Sequence, residues 1–163
     1  MRKKAAIFAA LALIAGTIFT TTTASAGAAQ DGQLLRSYLN TSLCLTVSDG
    51  NVGNGAGVIM TECSVTDTGQ RWFWDGLNLR SVQSLRCLTA AWNNVGDGAA
   101  LHMWDCRGWY AQMFYRPGGE NLGRIQQIQS PNPCVEVSGA NPRAGASVQL
   151  WTCHGGSNHR WTV

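Results

Sequence analysis

Beyond an apolar N-terminal segment, the chain consists of short runs in which apolar and polar residues alternate, separated by stretches rich in Gly, Asn and Asp. SDGNVGNGAG, WNNVGDGAA and SGANPRAGA are the clearest separators, and their residues tolerate tight turns. The runs between them show no amphipathic helical pattern of useful length, so they predict strands. VQLW at 148–151 is a clear case. With Val148 and Leu150 turned to a core, Gln149 and Trp151 face the other way.

The runs occur in three copies. One reads DGQLLRSYLNTSLCLTV, GAGVIMTEC and GQRWFW; the next reads DGLNLRSVQSLRCLTA, GAALHMWDC and AQMFYR; the last reads GENLGRIQQIQSPNPCVEV, GASVQLWTC and NHRWTV. The copies cover approximately residues 31–74, 75–118 and 119–163, a period of about 45 residues that leaves no room for a second domain in 27–163. Three compact copies closing around one core predict an all-β threefold barrel, since propellers usually need four or more blades. The aromatic residues that close the copies, Trp72, Phe114 and Trp161, are expected to fill the shared core. Gln70, Gln112 and His159, two places earlier, are expected to bond to the backbone of a neighbouring turn.

The N-terminal segment has a different character. MRKK, the apolar run AAIFAALALIAGTIF and the small-residue site Ala24-Ser25-Ala26 predict a secretory signal peptide over residues 1–26, hence a secreted, extracellular protein. The apolar run is shorter than the roughly 20 residues of a membrane span, so no membrane insertion is expected. Without that segment the chain has nine Arg, no Lys and nine acidic residues. Such neutrality gives no electrostatic basis for nucleic acid as a partner.

Export also sets the reading of the cysteines. Cys44 and Cys63, Cys87 and Cys106, and Cys134 and Cys153 are each 19 residues apart. Three equal intervals predict one disulfide per copy. Zinc ligation by cysteine lacks its usual C-x-x-C spacing. His154 and His159, two histidines without a third ligand, read as solvated loop residues, so no metal and no cofactor is expected. No GxSxG, HExxH or P-loop pattern is present, and with every cysteine in a bridge an enzyme is not expected.

The C-L-x-V start, the V-Q-L-W-x-C-like strand and the closing Q-x-W of each copy resemble the ricin B-chain type of β-trefoil lectin. The same fold occurs in carbohydrate-binding modules of bacterial polysaccharide hydrolases. The resemblance implies an all-β trefoil of three repeats and a galactose- or xylose-type glycan or polysaccharide as partner. It further implies sugar sites built from a carboxylate two places after the first cysteine, an aromatic platform two places before the second, and an Asn beside the closing motif. The third repeat matches best, with Glu136 as carboxylate, Trp151 as platform, Gln149 and Asn158 as amides and His159 in the neighbouring Gln position. The family normally carries Asp where this chain has Glu136. In the second repeat Trp104 keeps the platform and His102 flanks it, but Thr89 and Ala111 replace the polar groups, implying a weak second site. The first repeat, with Thr46, Thr61 and Gly69, is expected to bind nothing.

Structural roles stand beside these: Trp151 and Trp104 half-buried against the loops, and Glu136 capping a turn or paired with Arg143. Trp74 reads as packing, whereas Trp92 and Trp109 could extend a contact surface around the second repeat. The alternative function is a protein-binding module, such as a toxin-associated subunit or hydrolase inhibitor, with another secreted protein as partner and the sugar sites decayed.

Overall fold

A computed structural model describes residues 31–162; the expected signal segment lies outside the described residues. No α-helix occurs among them. The first repeat contributes β1 (Gln33–Leu34), β2 (Arg36–Ser37), β3 (Leu43–Val47), β4 (Val58–Glu62) and β5 (Arg71–Asp75). The second contributes β6 (Asn78–Ser81), β7 (Cys87–Ala90), β8 (Ala99–Trp104) and β9 (Phe114–Tyr115). The third contributes β10 (Gln126–Gln127), β11 (Cys134–Val137), β12 (Val148–Trp151) and β13 (Trp161–Thr162).

The hairpins β3/β4, β7/β8 and β11/β12 are equivalent. Their registers pair Cys44 with Thr61, Cys87 with Trp104 and Cys134 with Trp151. Each hairpin is closed by its own disulfide, Cys44–Cys63, Cys87–Cys106 and Cys134–Cys153, as the spacing predicts.

Three equivalent backbone bonds close the repeats into a ring. The amide of Gly55 donates to Met103 O (2.8 Å), Gly98 to Leu150 O (2.9 Å) and Gly145 to Met60 O (2.7 Å). The turn of each repeat thus holds the second hairpin strand of the next. The three glycines have φ of +87°, +80° and +84°, a region where a Cβ is strained, which accounts for Gly at this place in every copy.

Equivalent side chains from all three repeats meet in one buried core. Leu35, Leu79 and Ile125 form one such set, Leu45, Leu88 and Val135 another, and Met60, Met103 and Leu150 a third, all buried. Trp72, Phe114 and Trp161 plug the core as expected. The two indoles also donate to backbone, Trp72 Nε1 to Leu45 O (2.8 Å) and Trp161 Nε1 to Val135 O (3.0 Å). An all-β trefoil built from three disulfide-closed repeats is therefore the architecture.

The polar residues before these plugs diverge. Gln70 Nε2 donates to Glu62 O (2.8 Å) and Gln112 Nε2 to Asp105 O (2.9 Å), which fixes the turn behind each second cysteine. His159 makes no such backbone bond through its side chain. An imidazole cannot donate and accept in parallel at one end as an amide does, and its Nε2 turns instead to Glu136 and His154. The expectation of a backbone partner is therefore corrected for the third repeat.

Candidate functional site

Four of the five residues expected in the third repeat, Glu136, Gln149, Asn158 and His159, converge on one spot. Glu136 lies on β11, Gln149 and Trp151 on β12, and Asn158 and His159 in the short turn Ser157–His159. Gln149 Nε2 donates to Glu136 Oε1 (2.8 Å) and Asn158 Nδ2 to Glu136 Oε2 (2.9 Å). His159 Nε2 lies 2.7 Å from the same Oε2.

This carboxylate is 3% exposed, and both its oxygens are engaged by its own repeat; Arg143 is not among its partners. Burial pushes the Glu136 carboxyl above its ordinary value, with the Gln149 bond and the neighbouring His154 acting in the opposite sense. Burial, then His154 and Arg124, hold His159 down at about 4. His159 is fully buried, so its reading as a solvated loop residue is corrected; only His154 is exposed, at 49% of its side chain.

Trp151 faces away from Val148 and Leu150, as alternation requires, and is 37% exposed beside Gly98 of the second repeat. Its ring is partly exposed, whereas the Glu136 carboxylate on the paired strand is buried.

Glu136 anchors this polar cluster. Glu136→Ala leaves Asn158 and His159 buried without their acceptor and is expected to cost about 2 kcal/mol, measured by chemical denaturation in the presence of EDTA. Glu136→Gln, which keeps one carbonyl acceptor, is expected to cost less.

The second repeat differs in kind. A cleft of about 630 Å³ opens there, lined by Trp92, Trp104, Trp109, Tyr110 and His102, with Thr89 and Asn93 among its few polar groups. This size is ordinary for a small-ligand site. His102 stacks on Trp104 with ring centroids 5.3 Å apart, and Trp92 tilts against His102 at 6.3 Å. Thr89 carries no charge to meet a ligand: its hydroxyl donates to Cys87 O (2.9 Å) and accepts from Gln112 Nε2 (3.1 Å).

Trp92 is the unusual member. It is 88% exposed and held at φ 52°, in the turn Ala91–Asn93 that follows β7. The corresponding turns place Asp49 and Gly139 at that position, residues that accept the left-handed region far more readily than a bulky side chain. A large apolar ring kept in water on a strained backbone serves neither packing nor solubility, and such strain concentrates at functional sites.

The sequence pointed to Trp104, His102, Trp92 and Trp109 but did not reveal that they share one cleft, and it gave no role to Tyr110. Aligning SDG, AWN and SGA across the copies is the signal that would have singled out Trp92. In the first repeat Thr46 Oγ1 donates to Cys44 O (2.9 Å) and lies 2.6 Å from Thr61 Oγ1, a closed pair with neither platform nor carboxylate.

A family model described as the ricin-type β-trefoil lectin domain matches residues 23–114. That is more than half of the chain. The protein belongs to this family. No curated protein sequence matches it. Among solved structures, this lectin domain is similar to a designed threefold-symmetric protein, ThreeFoil (TM-score 0.71, 22% identity, covering 78% of this chain and 94% of that one). It is also similar to the C-half of an earthworm R-type lectin in complex with GalNAc (TM-score 0.65, 19% identity, 79% and 94% coverage). A third similar structure is the β-trefoil lectin of a Vibrio vulnificus hemolysin/cytolysin with N-acetyl-D-lactosamine bound (TM-score 0.63, 24% identity, 79% and 90% coverage). At these identities the likeness is one of fold. The ricin-type lectin fold and family support carbohydrate binding by this chain.

Proposed function

We propose that this ricin-type lectin domain is a secreted, non-catalytic glycan-binding protein for a galactose- or xylose-type glycan, and that the second-repeat cleft supplies most of the contact. The observation that carries the reading is the cleft itself, in which Trp92, Trp104, Trp109 and Tyr110 surround one opening. Sugar rings present apolar faces of C–H groups, and aromatic side chains are the surfaces on which such faces stack. Two of the similar structures hold GalNAc and N-acetyl-D-lactosamine, which favours the galactose type.

The sequence expectation put the weight on the third repeat. The second repeat carries more of it, because the oxygens of Glu136 are committed within their own repeat whereas the rings of the second repeat are open. Trp151, with Gln149 beside it, supplies a lesser contact. Secretion rests on the N-terminal segment and agrees with three disulfides, which persist in oxidising surroundings.

Affinity electrophoresis of the protein through gels containing galactan, arabinogalactan or xylan tests the reading. Retardation by at least one of them is expected, with Trp104→Ala weakening it by about tenfold, as loss of one stacking ring implies. A wild-type protein retarded by none of these polysaccharides would overturn the glycan reading and return the fold to protein binding.

A further inference from the structure

We propose that Glu136, His154 and His159 bind a borderline divalent transition-metal ion, with Cu²⁺ preferred over Zn²⁺, at the rim of the third repeat. One ligand atom from each residue lies within 4.8 Å of the others. Glu136 Oε2 and His159 Nε2 are 2.7 Å apart, His159 Nε2 and His154 Nε2 are 2.7 Å apart, and His154 Nε2 and Glu136 Oε2 are 4.0 Å apart. A point about 2.0 Å from all three atoms exists in the plane of that triangle, just beyond its 4.0 Å edge, and that is the bond length of an imidazole or carboxylate to Zn²⁺ or Cu²⁺. The three donors sit near three corners of a square, an arrangement suited to Cu²⁺, whereas Zn²⁺ would draw them toward a tetrahedron. Two nitrogens and one oxygen also favour these ions over Ca²⁺, which prefers six or more oxygens.

Hydrogen bonding alone serves the cluster poorly. His159 Nε2 makes two short contacts, and a ring nitrogen carries one proton at most, so one of them lacks a proton aimed along it. A cation placed among the three atoms is shared by all. The scaffold is also prepared. His154 follows Cys153, whose bridge to Cys134 ties it to the strand that bears Glu136. The Gln149 and Asn158 amides orient the carboxylate as second-layer donors do around known metal sites. Gly156 leaves His154 room to lie over the turn, since a Cβ there would stand 2.6 Å from His154 Cε1. Ligation has a local cost: the Gly156 amide donates to His154 Nδ1, and a metal on Nε2 moves the ring proton to Nδ1, so that amide must find water.

The three ligands occur together in one repeat only. The positions of Glu136, His154 and His159 hold Thr46, Ser64 and Gln70 in the first copy and Thr89, Arg107 and Gln112 in the second. A carboxylate and two imidazoles that meet at one point distinguish this repeat from its siblings. The half-exposed His154 gives the ion its way in.

Isothermal titration of the secreted protein, stripped with EDTA and dialysed, against Cu²⁺, Zn²⁺ and Ca²⁺ tests the proposal. One equivalent of Cu²⁺ is expected to bind, more tightly than Zn²⁺, with no heat from Ca²⁺. His154→Ala, at an exposed position that leaves the core untouched, is expected to weaken Cu²⁺ binding by at least about 100-fold. The Cu²⁺ electron paramagnetic resonance spectrum should show coupling to imidazole nitrogen. Absence of stoichiometric Cu²⁺ binding, an affinity unchanged in His154→Ala, or a spectrum without nitrogen coupling would each overturn it. The ligands share no residue with the second-repeat cleft, so failure of the glycan reading leaves this titration unaffected.

Discussion

Replacing Trp92 and Trp104 together by alanine is expected to lower glycan affinity by about 30- to 150-fold while the protein stays folded. Each ring stacked on a sugar face contributes on the order of 1 to 1.5 kcal/mol, and every 1.4 kcal/mol is a factor of ten. Trp92, at 88% exposure, supports nothing inside the fold. Alanine keeps the Cβ that is strained at φ 52°, so the backbone strain is unchanged and stability should not fall on its account. Trp104 loses its stacking on His102, a contact at the cleft surface rather than in the axial core. Trp151→Ala in the same assay is expected to reduce affinity by less than about threefold, because its neighbouring carboxylate is buried. Equilibrium titration with the polysaccharide that retains the wild type, alongside thermal melts, measures both quantities. Undiminished binding by the double variant would remove the cleft from consideration, and a loss confined to Trp151→Ala would restore the third repeat as the main site.

Trp161→Ala should cost about 4 kcal/mol of stability, much of what a domain of this size commands. The indole is among the largest fully packed side chains of the core, and its Nε1–H satisfies Val135 O at 3.0 Å. Alanine therefore leaves both a cavity and an unpaired buried carbonyl. Trp161→Phe should be far milder, about 1 to 2 kcal/mol, because Phe114 already fills the equivalent place in the second repeat without an N–H donor. Denaturant titration of the two variants and the wild type checks the ordering. Equal effects of phenylalanine and alanine would mean that the backbone bond, not the packed volume, is what Trp161 contributes.

Glu136 is the residue of the third repeat whose surroundings depend most on the folded structure. A carboxylate two places after a cysteine was legible as a candidate group, as were the amides at Gln149 and Asn158. Whether that carboxylate meets solvent or its own neighbours depends on side-chain length and on what stands opposite. The extra methylene of Glu, with an imidazole instead of an amide at position 159, draws the charge into the repeat, where two amide donors and the His159 ring nitrogen surround it. His154 read as an isolated loop residue for the same reason. Its distance to Glu136 is set by a disulfide and a turn, and a pair 18 positions apart in the chain has no sequence signature of its own.

The sequence by itself determined the scaffold. Equal cysteine intervals fixed the bridges, the turn-rich separators bounded the hairpins, and the recurrence of Trp72, Phe114 and Trp161 marked the core, because these features are local and are stated three times. Repetition also set the ring of glycine contacts, where every copy solves the same backbone problem in the same way. Only the tertiary structure decided which repeat presents an open surface. Trp92, Trp104, Trp109 and Tyr110 come from separate turns and one strand edge, and their shared cleft is a property of how those turns fold over β7 and β8. Burial likewise decided that Glu136 and His159 face each other instead of water, since the balance between solvation and a neighbouring partner is settled by distances that no one-dimensional pattern contains.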